Sequence, residues 1–165
     1  MVKGHGGEVA AQAAFDADAV RSIAAELASI EGPLIPILHA IHDRFGHVAE
    51  AAVPVVADVL NLSRAEVHGV VTFYHDFRRT PAGRHVVKVC GAEACQSMGG
   101  RRLAADLQGA LGIDLGATTA DGEVTLETVY CLGNCALSPA LLVDGELHGR
   151  VDQIRMRSIL AGIGR

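Results

Sequence analysis

The sequence predicts an α+β chain, with an N-terminal helical bundle followed by a small α/β unit. Three observations carry that expectation. From Asp16 to about Phe77, apolar residues recur at helical spacing between recognisable cap and stop residues. After Thr80-Pro81-Ala82-Gly83 the pattern changes to short β-branched runs separated by one amphipathic segment. All four cysteines fall in this second half, each pair just behind a predicted strand. The expected boundaries are 1–15 for a flexible leader, 16–80 for the helical domain and 81–165 for the α/β domain.

Asp16 or Asp18 can cap a first helix running to about Ile30, with Glu31-Gly32 ending it. Pro33 sits at the first turn of the next helix, where its missing N–H costs nothing. Leu34, Ile37, Leu38, Ile41 and Phe45 then share one face, and Gly46 supplies the stop. A third helix spans roughly Glu50 to Leu60, with Pro54 tolerated near its start. Ser63 and Glu66 form a capping box for a fourth helix that runs towards Tyr74. Each helix is short, so all four must pack together to persist.

In the second half, His85 to Val89 reads as a strand ending at Cys90. Ser97 to Leu111 reads as a helix with Leu103, Leu107 and Leu111 on one stripe. Val124 to Tyr130 alternates as a strand and ends at Cys131. Ala140 to Val143 and Glu146 to His148 flank Asp144-Gly145 as a β-hairpin, and Val151 to Ile163 closes the chain as a helix. The order is β-α-β-β-β-α.

Composition narrows the function. Half of the 165 residues are apolar, which excludes a disordered chain. A net charge of −5 and 4% aromatic residues argue against nucleic acid as the main partner. No apolar run approaches the roughly 18–20 residues that cross a bilayer, so no membrane insertion is expected. The leader, MVKGHGGEVAAQAAF, has no basic start followed by a hydrophobic block and no twin-arginine pair, so the cytoplasm is the expected compartment. Gly4-His5-Gly6-Gly7 opens no strand–helix unit and reads as part of a flexible tail. His39 and His42 share a helical face, but no further ligand completes a metal motif, and solvent-facing or capping roles are expected for them. No P-loop, dinucleotide fingerprint or orderable catalytic triad is present, so no catalytic residue and no substrate site are expected on this chain.

The cysteines carry the chemistry. Four residues separate Cys90 from Cys95, three separate Cys131 from Cys135, and thirty-five lie between the pairs. Two strands would deliver two chelating loops to one end of a small sheet, which suits the four thiolates of a [2Fe–2S] rhomb. One pair per iron is the simplest assignment. Small loop residues (Gly91, Ala92, Ala94, Gly133) would let backbone N–H groups approach the sulfurs. The N-terminus of the helix starting near Ser97 would add its dipole. Three other readings compete: structural zinc on four thiolates, which usually presents C-x2-C pairs; two disulfides, which suit a secreted chain; and a dithiol redox enzyme, which would present C-x-x-C.

The stretch from Gly32 to Phe77, and above all VHGVVTFYHDF, resembles the helical part of the complex I 24 kDa subunit family. The cysteine spacing and the CLGNC loop resemble the same family's thioredoxin-like [2Fe–2S] ferredoxin domain. The resemblance spans Gly32 to the C-terminus. It implies one [2Fe–2S] cluster on Cys90, Cys95, Cys131 and Cys135, and a role as electron-transfer subunit beside a flavin subunit that binds FMN and NAD. It also makes the helical half a docking element, with Val70 to Tyr74 bridging the two halves or entering an interface, and with Phe73 and Tyr74 as internal core the competing reading. The family serves respiratory NADH dehydrogenases, NAD-reducing hydrogenases and NAD-linked formate dehydrogenases. The first loop, CGAEACQSMGG, resembles the gamma subunit of the formate dehydrogenases through Glu93, Gln96 and Met98, which implies a molybdenum-cofactor catalytic subunit as a further partner. The equivalent subunit of complex I or of an NAD-reducing hydrogenase is the alternative. A zinc-stabilised, non-redox interaction module is the alternative from a different class.

Overall fold

The computed structural model describes residues 15–165. The expected flexible leader, Gly4-His5-Gly6-Gly7 included, lies outside the described residues except for Phe15. The described residues divide into two compact units, one ending at Pro81 and the other running from Ala82 to Arg165.

The first unit is four helices: α1 (Ala17–Leu27), α2 (Leu34–Phe45), α3 (Ala52–Leu60) and α4 (Arg64–Phe73). The Asp16 carboxylate accepts from the N–H groups of Asp18 and Ala19 at 3.0 and 3.1 Å, satisfying donors that the first turn of α1 leaves open. Helix α1 ends at Leu27, three residues short of the expected Ile30. Ile30 is exposed, so continuing the helix would bury nothing more. Gly46 closes α2 in the left-handed conformation. Ser63 and Glu66 exchange both bonds of the expected capping box at the start of α4. Val20, Ile37, Leu38, Ile41, Val56 and Val67 meet in one core, so each amphipathic stripe finds its cover in another helix. His39 and His42 pack on Phe77, with ring centroids 4.9 and 6.5 Å away, so the pair serves aromatic packing. Phe73 is 73% exposed and meets Tyr74 edge to face, so of the two expected roles internal packing does not hold for Phe73.

The second unit carries β1 (His85–Cys90), α5 (Glu93–Ser97), α6 (Gly100–Leu111), β2 (Val124–Val129), a 3-10 turn (Cys135–Leu137), β3 (Leu141–Val143), β4 (Glu146–His148) and α7 (Gln153–Gly162). The strand order in its sheet is β2-β1-β3-β4. Strands β1 and β2 run parallel with Cys90 opposite Val129, while β3 lies antiparallel to β1 and forms the expected hairpin with β4. Val87, Val89, Val124, Leu126, Leu141 and Val143 pack against Leu103 and Leu107 of α6 and Met156 and Leu160 of α7. The alternate residues are more polar, with Lys88 and Glu127 3.7 Å apart across β1 and β2. One face of the sheet is thus apolar and helix-covered, as period-2 alternation requires.

The expected helix from Ser97 to Leu111 starts three residues late, as α6, and a separate short helix, α5, precedes it. Ser97 ends α5, and α6 starts only at Gly100 after Gly99 turns with φ of +95°. The turn is tight. A Cβ on Gly100 would stand 2.7 Å from the Cys95 carbonyl oxygen, closer than real atoms approach. The helix N-terminus expected at Ser97 is therefore not there, and Cys95 sits within α5 instead of on an open loop.

Candidate metal centre

Parallel pairing of β1 and β2 brings the two cysteine segments together. Both strands end at the same edge of the sheet, Cys90 as the last residue of β1 and Cys131 two residues beyond the end of β2. The ladder extends one step past each strand. The Cys90 N–H donates to Ala140 O at 3.1 Å, and the Gly91 N–H donates to Val129 O at 2.8 Å. Backbone bonding thus holds the start of the first cysteine segment to the strands on either side of it.

The two pairs sit in different surroundings. Cys90 and Cys95 are buried with Ala140, while Cys131 and Cys135 are exposed. Helix α5 presents Cys95 inward, and Gln96 pins the segment by donating to Gly91 O at 2.6 Å while accepting from Arg101 at 2.9 Å. Gln96, read from sequence only as a family marker, therefore has a structural task. Cys131 adopts φ of +142°, a conformation that costs a non-glycine residue on the order of 1–3 kcal/mol. Such strain persists where surrounding structure imposes it. The Cys131 and Cys135 sulfurs are 3.9 Å apart, and the Gly133 N–H donates to Cys131 Sγ at 3.3 Å.

All four thiols are free. The Cys135 thiol is pushed above its ordinary range, first by its hydrogen bond with Cys131. Repulsion from Cys131 charge and desolvation follow, with further repulsion from Cys95 and Cys90. The four cysteines therefore share one electrostatic neighbourhood, where negative sulfur repels negative sulfur unless a cation intervenes. The donor set is all thiol, which suits iron–sulfur and zinc chemistry. A tetrahedral metal bonded to sulfurs at about 2.3 Å spaces them about 3.8 Å apart, a spacing that the Cys131 and Cys135 sulfurs match. Among the described residues, no three potential ligands gather closely enough to hold a single ion.

Two residues without a local signal in the sequence shape this place. Ser138 is buried beside Cys95, with its Oγ 3.6 Å from Cys95 Sγ and 2.7 Å from Cys135 O. Gly149, from the segment after β4, packs on the turn that carries Cys135. A Cβ there would lie 2.6 Å from Leu137 Cβ and 2.7 Å from Asn134 Nδ2. Sequence reasoning misses both, because they act through contacts distant along the chain or dependent on the loop's path.

A family model described as thioredoxin-like [2Fe-2S] ferredoxin matches residues 20–164. The chain is 42% identical over 117 residues to the E component of the NADH-quinone oxidoreductase of Pseudomonas aeruginosa, covering 71% of this chain and 70% of that one. It is 34% identical over 131 residues to the HndA component of the NADP-reducing hydrogenase of Solidesulfovibrio fructosivorans, covering 79% and 77%. Among solved structures, an air-oxidised NAD+-reducing [NiFe]-hydrogenase superposes with a TM-score of 0.65 at 25% identity. That match covers 77% of this chain and only 22% of the hydrogenase chain.

Proposed function

The chain belongs to the thioredoxin-like [2Fe-2S] ferredoxin family, and on that premise we propose that Cys90, Cys95, Cys131 and Cys135 hold one [2Fe–2S] cluster in an electron-transfer subunit of an NAD-linked oxidoreductase. The observation that carries this is the delivery of two cysteine pairs to one end of the parallel β1–β2 pair. When bound, such a cluster stores one electron at a time, whereas NAD chemistry moves two as hydride. The chain's residues supply the rest. Cys90 and Cys95 hold the inner side away from water, and Cys131 and Cys135 face outward, where a partner can approach.

The segments that carry the cysteines also carry exposed apolar side chains. Tyr130, beside Cys131, is 84% exposed, and Met98 and Leu137 are exposed as well. Large apolar groups standing in water around a redox centre suit a docking surface, and we assign it to a flavin subunit that binds FMN and NAD. The helical unit offers a second one, a groove of about 490 Å3 lined by residues that include Leu34, Ile35, Leu60 and Val70. We assign that groove, with exposed Phe73, to assembly.

The relatives named above are subunits of an NADH-quinone oxidoreductase and of a hydrogenase. We therefore place this chain first in a complex of one of those two kinds. Glu93, Gln96 and Met98 remain the support for a formate dehydrogenase, and a molybdenum-cofactor partner belongs to that second reading. No helix among the described residues is long and apolar enough to cross a membrane.

The protein purified in air should be reddish brown, with about two irons and two acid-labile sulfides per chain. It should be EPR-silent until one electron is added. Replacing any of the four cysteines with serine should damage the cluster. One zinc and no iron would replace this reading with that of a structural zinc module. The isolated chain should oxidise neither NADH nor formate. Mass spectrometry of the complex captured from its native cells should find a flavin subunit, and a molybdenum-cofactor subunit beside it would restore the formate dehydrogenase reading.

A further inference from the structure

The Ser138 hydroxyl touches both halves of the centre from a position closed to water. Ser138 is 8% exposed and Cys95 2%. As a thiol, Cys95 donates to Ser138 Oγ across 3.6 Å, and Ser138 in turn donates to Cys135 O across 2.7 Å. A cysteine that binds metal has lost its proton, so its sulfur can only accept. Unless the hydroxyl hydrogen then turns towards the sulfur, oxygen lone pairs face a buried negative charge, which is unfavourable. The turn is open to it. A serine hydroxyl rotates freely about its C–O bond, and Cys135 O keeps a donor in the Ser138 N–H at 3.3 Å.

We propose that Ser138 is a positioning residue whose hydroxyl donates to the Cys95 thiolate and thereby raises the reduction potential of the centre. The proposal rests on the reading that the four cysteines hold a [2Fe–2S] cluster. One-electron reduction adds a negative charge, taking a cluster with four thiolates from about −2 to about −3. A donor aimed at a ligating sulfur stabilises the more negative state more strongly, so it favours uptake of that electron. Burial strengthens the effect, because no water can stand in for the hydroxyl at Cys95. The exposed Cys131 sulfur differs, since it has the Gly133 N–H and lies open to solvent.

The test is a set of three full-length variants with reconstituted clusters, titrated potentiometrically with EPR detection. Ser138→Ala removes the hydroxyl. Ser138→Val and Ser138→Thr share a shape and differ in the hydroxyl. The Ala and Val variants should make reduction at least tenfold less favourable, a shift of about 59 mV to more negative potential for one electron. The Thr variant should stay near wild type. Pulsed EPR in H2O and D2O should show an exchangeable proton near the cluster in wild type and Thr, and lose it in Ala and Val. Wild-type potentials in fully loaded Ala and Val variants would overturn the proposal. So would equal shifts in Val and Thr, which would mark an effect of volume. Loss of the cluster from Ala and Val with retention in Thr would overturn it too, by assigning the hydroxyl to cluster assembly. An iron-free wild type would instead overturn the cluster reading on which the proposal stands.

Discussion

Gly149 follows Cys135 by fourteen positions and still dictates how that cysteine is held, because its missing side chain is the space that Leu137 and Asn134 occupy. Gly149→Ala should push the Cys135–Leu137 turn outward. Overpacking of this kind costs about 1–3 kcal/mol. A lowered thermal midpoint and a fall in iron per chain should appear together, and a variant with wild-type values for both would show that the turn yields easily. Asp121 illustrates a charge effect at the same scale. Its carboxyl is held below the ordinary aspartate range, first by Arg165 and then by the Thr119 hydroxyl and the Glu123 N–H. A lowered folded-state value means that the contribution to stability is full above the unfolded value of about 3.9 and is lost as pH falls through the folded one. Between about pH 5 and pH 2, wild type should therefore lose more stability in urea titrations than Asp121→Asn. Parallel losses in the two proteins would count against the ion pair.

Among elements, α4 offers the cleanest test, because its start depends on a pair of local bonds. Ser63→Ala removes the oxygen that accepts from the Glu66 N–H at 3.2 Å and should cost about 1 kcal/mol, read as a lower urea midpoint at unchanged slope. A midpoint equal to wild type would show that helix packing sets the start of α4 without the cap. The start was legible in the sequence because a capping box is written within four consecutive positions. The α5–α6 break was not. Leucines at helical spacing mark the stripe from Leu103 onward, but the break depends on how closely Gly100 must pass the Cys95 carbonyl. Nor was the burial of Cys90 and Cys95 against the exposure of Cys131 and Cys135 legible, since equal residue types in similar loops carry no sign of which loop the core covers.

At the scale of the whole molecule, each unit has its own core, one among α1 to α4 and one between the sheet and helices α6 and α7. Residues 82–165 expressed alone should therefore fold cooperatively and take up a cluster, while the loss of residues 1–81 should weaken assembly with the flavin subunit. A molten, iron-free product would show that the second core needs the first, and copurification at wild-type yield would place the docking contacts in the second unit. By itself the sequence determined the class of each half, the helix caps, the hairpin at Asp144-Gly145 and the placing of cysteine pairs behind strands. These follow from sterics and hydrogen bonds among near neighbours, which hydrophobic periods and turn residues record directly. The tertiary structure decided the order β2-β1-β3-β4 and the parallel register that brings Cys90 level with Val129. It also set Ser138 against Cys95 and Gly149 against Leu137. Those outcomes depend on pairings between distant segments, where many partners satisfy the same local pattern and the packing of the whole core selects one.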